Sequence, residues 1–226
     1  MPEAATWPLE AGPAYPFCVP ARLRLLCLVA CVCLLGALAV ALLAGGHRND
    51  TAGAAGFNGA TRPPAARAAD FVLRDQHGRR ATMREYRGRI VVVTFMYSTC
   101  RDTCPLTAQQ IRGALDQLGP GRQVPVLAIS VDPSGDTPVH VARFLREQHM
   151  TGRMRYLTGT RAQLAPVWRA YGIQPQGPGY EHTASTVVDD GAGRQRLGYL
   201  TEQLTPEGLA ADLRTLSATG AARATR

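Results

Sequence analysis

The rhythm of hydrophobic positions divides the chain into an uninterrupted apolar run, a stretch without any period, and a long segment where two periods alternate. Leu25–Gly46 is 22 residues without a charge. From Phe71 onward, short β-branched runs alternate with helical patterns. Phe71–Leu73 and Ala81–Met83 flank a turn at Gln76-His77-Gly78, which predicts a hairpin. Ile90–Phe95 and Val124–Val131 are continuous apolar runs, as expected of strands buried on both faces. Thr183–Val188 and Arg196–Leu200 alternate like paired strands around Gly191–Gly193. Between them, Pro105–Leu118 carries Ile111, Leu115 and Leu118 on one helical face, and Pro138–His149 carries Val141, Phe144 and Leu145. Thr160 reads as the cap of a helix reaching Tyr171, with Pro166 expected to kink or delay it. Thr205-Pro206-Glu207 opens a last helix, and Ala218–Arg226 is expected to fray. Strand–helix alternation of this kind predicts an α/β sandwich with a central sheet flanked by helices.

The apolar run at 25–46 is long enough, at about 33 Å as a helix, to span a bilayer core of about 30 Å. It exceeds the ~7–15 residues usual for the core of a cleaved signal peptide. Arg22 and Arg24 precede it, and a nearly neutral His47-Arg48-Asn49-Asp50 follows. The positive-inside rule then places the N-terminus in the cytoplasm and the remainder outside it, on a bacterial cytoplasmic membrane. His47–Ala69, rich in Gly, Ala, Pro and Thr, reads as a flexible linker. The expected organisation is thus a cytoplasmic segment at 1–24, one transmembrane helix at 25–46, a linker at 47–69, a folded domain at 70–217 and a frayed tail at 218–226.

Charge narrows the function less than sulfur does. The net charge is +8, and all 25 basic residues are arginine. They are dispersed, with no run of like charge and no aromatic-interleaved basic stripe, so nucleic acid is not an expected partner. Of six cysteines, Cys18 precedes the apolar run and Cys27, Cys31 and Cys33 lie within it. Only Cys100 and Cys104 fall in the folded domain. A single pair is not the framework of a disulfide-rich module.

That pair sits where a buried strand turns into a helix. The residue before a proline is pushed away from helical angles, so Cys104, ahead of Pro105, is expected at the helix mouth. Unpaired N–H groups and the positive dipole end would favour its thiolate there. Three residues, Arg101, Asp102 and Thr103, separate the thiols. Such a turn can close a disulfide, work as a redox pair, or hold two sulfurs around a metal. A disulfide across so short a loop stabilises little, which weighs against an inert staple.

Phe95-x-Tyr97-x-x-Cys100-x-Asp102-x-Cys104-Pro105 resembles the signature of the Sco/SenC family, membrane-tethered, thioredoxin-like copper proteins of cytochrome c oxidase assembly. Ser130-Val131-Asp132-Pro133, followed by Asp136-Thr137-Pro138, is similar to the family's second block. Tyr180-Glu181-His182-Thr183 stands where the family carries its ligand histidine. The likeness runs from about Ala69 to Leu216. It implies a thioredoxin-like fold and copper ligation by Cys100, Cys104 and His182. Two thiolates and an imidazole form a soft set suited to Cu(I) that also accommodates Cu(II). Asp132 and Asp102 are the carboxylates expected to orient or tune that site, with Asp136 a weaker candidate; as turn and cap residues they also have a purely structural reading.

The resemblance implies a non-enzymatic metallochaperone delivering copper to a cytochrome c oxidase subunit or another copper-receiving membrane protein, itself served by a copper donor or a thiol reductant. The competing class is an enzyme, a thiol–disulfide reductase that keeps client cysteines reduced, with Cys100 and Cys104 as its redox-active pair. Three intervening residues, and Thr183-Ala184 where such reductases carry a proline, tilt the reading toward metal. A peroxiredoxin-like peroxidase would need a threonine or serine where Tyr97 stands and a proline where Val93 stands.

Overall fold

The computed structural model describes residues 56–177 and 183–224, together with Ala30. The chain divides into two compact units, Met1–Asp50 and Thr51–Arg226, and the described fold lies in the second. The predicted membrane helix at 25–46 therefore falls outside the described residues, apart from Ala30. Among the described residues no helix is long and apolar enough to cross a membrane.

Six strands form the central sheet. In chain order the strands are β1 (Ala60–Thr61), β2 (Val72–Arg74), β3 (Arg80–Thr82), β4 (Val91–Met96), β5 (Val126–Ser130), β6 (Arg155–Leu157), β7 (Ser185–Asp189) and β8 (Gln195–Leu200). The sheet order is β1-β8-β7-β4-β5-β6, while β2 and β3 form a separate hairpin. β4, β5 and β6 are parallel, and β7 pairs antiparallel with both β4 and β8. Among the described residues four helices flank the sheet: α1 (Thr103–Leu118), α2 (Pro138–Glu147), α3 (Arg161–Tyr171) and α4 (Pro206–Ala224).

Every residue of β4 is buried, as its unbroken apolar run demands. Strand alternation sends Val92 and Met96 into one core, with Ile111 of α1, Phe144 of α2 and Leu213 of α4. Val91, Val93 and Phe95 point into the other, against Leu164 and Trp168 of α3 and Leu73 of the hairpin. The α/β sandwich expected from the sequence is thus present, as a thioredoxin-like fold. α3 starts at Arg161 without delay, because Thr160 and Gln163 form a reciprocal capping box, and it runs through Pro166. α4 continues to Ala224, past Ala218 where fraying is expected.

The linker expected at 47–69 is partly folded domain. The amides of Asn58 and Gly59 donate to the buried Asp212 carboxylate of α4 at 2.9–3.0 Å, and Tyr199 Oη donates to the same group. β1 then pairs with β8, Ala60 opposite Gly198. Gly59 has to be glycine, since a Cβ there would stand 2.6 Å from the Tyr199 ring. This segment is held by backbone bonds and one carboxylate, which leave no hydrophobic period to read. The register of β1 against β8 also shows that the chain joins the domain at the end of the sheet where β4 finishes.

Candidate metal and redox site

β4 ends at Met96, and the turn that follows carries both thiols. Cys100 donates its amide to Tyr97 O at 3.3 Å and is half-buried, whereas Cys104 is 2% exposed. Both sulfurs are free thiols. The helix begins at Thr103, so Cys104 lies inside its first turn, not at its mouth as the sequence suggests. Proline is tolerated there because its missing N–H would have had no helical acceptor. The consequence is a change of sulfur. The amide of Cys104 points at Cys100 Sγ, 3.5 Å away, and Thr103 Oγ1 lies 3.7 Å from it.

The two thiols are therefore unequal. The Cys104 thiol donates to Cys100 Sγ, and this bond outweighs the burial that opposes ionisation. With the amides of Asp102 and Cys104 and the Thr103 hydroxyl, it brings the Cys100 thiol down to about 4. The same bond, reinforced by burial, pushes Cys104 upward and keeps it protonated. Cys100 is the outward thiolate that the helix start favours, the role the sequence assigns to Cys104.

The carboxylates are also redistributed. Asp102 is exposed and precedes the helix; its backbone carbonyl accepts from Leu106, and its side chain makes no capping bond. Asp132 accepts from Ser134 Oγ at 2.6 Å and from the Gly135 amide at 3.1 Å, both within its own turn. Asp136 is the buried hub. Its Oδ1 accepts from the Ser98 amide and hydroxyl, each at 2.6 Å, and its Oδ2 from Ser130 Oγ at 2.5 Å and Tyr156 Oη at 2.9 Å. Tyr156 Oη also lies 3.1 Å from Met96 O, and Trp168 Nε1 donates to Ser130 O at 2.9 Å. The thiol turn is thereby tied through Ser98 to β5 and β6. The sequence undervalues Asp136, which precedes Thr137-Pro138 and so reads as a turn residue. It offers no signal for Tyr156, whose polar tip is buried at a strand position.

His182 lies outside the described residues. Its neighbour Thr183 exchanges bonds with Gln174: the Thr183 amide donates to Gln174 O at 3.0 Å, and Thr183 Oγ1 accepts from the Gln174 amide at 3.2 Å. The Gln176 amide donates to Val131 O at 3.1 Å. Both ends of the 174–183 segment thus reach the described fold beside the C-terminal ends of β4 and β5, where the thiol turn sits. Among the described residues no three His, Cys, Asp or Glu side chains cluster to hold a metal. Two adjacent sulfurs on one turn, one already stabilised as thiolate, do suit a soft thiophilic ion.

The SCO1/SenC family model matches residues 59–218, a range that begins where Gly59 meets Asp212. The mitochondrial SCO2 homologue of Bos taurus is 35% identical over 117 residues, half of this chain. That match spans 43% of the bovine protein, so this chain aligns with less than half of its length. The apo Sco1 protein of Thermus thermophilus superposes with a TM-score of 0.60 at 29% identity, over 71% of this chain and 96% of the other. ScoI of Bradyrhizobium japonicum, solved with copper bound, superposes at 0.57 with 30% identity, over 67% and 99%.

Proposed function

The chain belongs to the SCO1/SenC family, and from that premise we propose that it is a copper chaperone that binds the ion through Cys100, Cys104 and His182 and passes it to a cytochrome c oxidase subunit. The observation that carries the reading is the pair of adjacent, unequal thiols at the helix start. The half-exposed Cys100 thiolate meets incoming copper first. The buried Cys104 follows, giving up its proton as it exchanges the hydrogen bond to Cys100 for a bond to the ion. Release runs in reverse, one ligand at a time, so the ion is handed over without being freed. Copper bound in the Bradyrhizobium relative supports the cargo. In this reading the apolar segment 25–46 anchors the domain on the extracytoplasmic face of a bacterial membrane, within reach of a membrane-bound client.

The same inequality of thiols supports a second reading, thiol–disulfide reduction. Cys100 thiolate would attack a client disulfide, forming a mixed disulfide and releasing one client thiolate. Cys104 would then displace the second client thiolate, leaving a Cys100–Cys104 disulfide for an external thiol reductant to reopen.

Competition of the reduced full-length protein in a neutral detergent against a Cu(I) chelator separates the two. One tight equivalent, weakened at least tenfold in His182→Ala, supports the chaperone. Equal weak binding by both proteins, with rapid reduction of a client disulfide, overturns the ligand set and leaves the reductase. A fragment starting at Asp70 is unsuitable, because it lacks β1 and the bonds to Asp212.

A further inference from the structure

Two adjoining clefts lie at the opposite end of the sheet from the thiols. One, of about 630 Å³, opens among the residues leading into β4, β5 and β6; the other, of about 600 Å³, runs from the same wall to the β7–β8 turn and α4. Arg89, Arg122, Gln123 and Val124 line both, so the two form adjoining halves of one basin. Five arginines face it against two aspartates. Both aspartates are already neutralised: Asp116 pairs with Arg153 at 2.8 Å, and Asp190 with Arg194 and Arg196 at 3.0 and 3.2 Å. Arg89 and Arg122 remain. Among the described residues neither guanidinium has a hydrogen-bond or ion-pair partner, and both are exposed on the shared wall.

Two free, permanently charged forks lining the same wall offer donors to phosphate oxygens, which arginine engages bidentately. A concave space of this size suits a small anion better than a flat protein surface does. We infer that this basin is a binding site for a phosphate-bearing anion, either a free small molecule or an anionic lipid headgroup. The site is independent of the thiol chemistry and stands whether or not the copper reading holds.

The test uses the full-length chain in a neutral detergent, titrated with inorganic pyrophosphate and separately with phosphatidylglycerol added to the micelles; phosphatidylcholine is the blank. Arg89→Ser/Arg122→Ser removes the free forks without breaking any hydrogen bond among the described residues. Arg143→Ser/Arg146→Ser removes the same charge from exposed positions on α2. Saturable binding that weakens tenfold or more in the first variant, and by less than twofold in the second, supports the site. Amide exchange in 119–125 should slow on binding in the wild type and not in the first variant. Response to pyrophosphate alone marks a free anion, to phosphatidylglycerol alone a headgroup, and to both the shared phosphate group. Binding of neither anion, or equal losses in the two variants, overturns the inference.

Discussion

Removing the Asp136 carboxylate should loosen the thiol turn and destabilise the domain together. In Asp136→Ala four donors lose their acceptor. Tyr156 Oη keeps Met96 O, and the half-buried Ser98 hydroxyl can turn to water. The Ser98 amide and the fully buried Ser130 hydroxyl are left without partners. At about 1–3 kcal/mol for each orphaned group, partly offset because a buried charge is removed, the loss should be about 2–5 kcal/mol. Asp136→Asn should cost only about 1 kcal/mol, since Oδ1 still accepts from Ser98 and both hydroxyls can accept from the new amide. Urea unfolding followed by Trp168 fluorescence measures both. Cys104, buried in the wild type, should resist iodoacetamide there and become alkylable in the alanine variant alone. Burial raises the Asp136 pKa above the usual carboxylate range despite its four donors. The fold then holds that proton more tightly than the unfolded chain, so this group's contribution falls as pH rises from about 4 through the raised value. Asp136→Asn should lack that decline. A loss below about 1 kcal/mol in Asp136→Ala with Cys104 still inert, or equal losses in both variants, would refute the hub.

Asp189, buried at the far end of β7 beneath Tyr171 Oη, has its carboxyl pushed up to about 7 by burial, and its Oδ1 lacks a partner among the described residues. Stability should therefore fall between about pH 4 and 7, by at most about 4 kcal/mol, and Asp189→Asn should flatten the profile of Tm against pH. With the Cys100 thiol near 4, its alkylation rate should be nearly constant from pH 6 to 8 and vanish in Cys100→Ser. A tenfold rise per pH unit over that range would show an ordinary thiol.

What the sequence revealed, and what it hid, follows from the kind of force involved. Strands such as β4 and helices such as α2 are written in apolar periodicity, because burial of those side chains makes them. The thiol turn was legible because two cysteines and a proline stand together. Its polarity was not, since the start of α1 depends on where backbone N–H groups find acceptors, and Cys104 fell inside the first turn together with Pro105. Polar ties between distant residues leave no period either. Ser98, Asp136 and Tyr156 meet only in three dimensions, as do Asn58 and Asp212.

Both margins of the six-stranded sheet are partly covered by the chain itself. Along β8, Arg62 N donates to Arg196 O, and Ala68 N to Gly193 O, continuing the cover that β1 begins. At the other margin the Tyr156 amide donates to Gln76 Oε1, and Arg74 and Thr158 exchange both backbone bonds. What remains at the β8 margin is β1, a two-residue strand, and so short an edge offers little to edge-to-edge aggregation or to a partner's strand. Recognition then falls mainly to the loops at the strand ends, where the thiols stand at one pole and the arginine basin at the other.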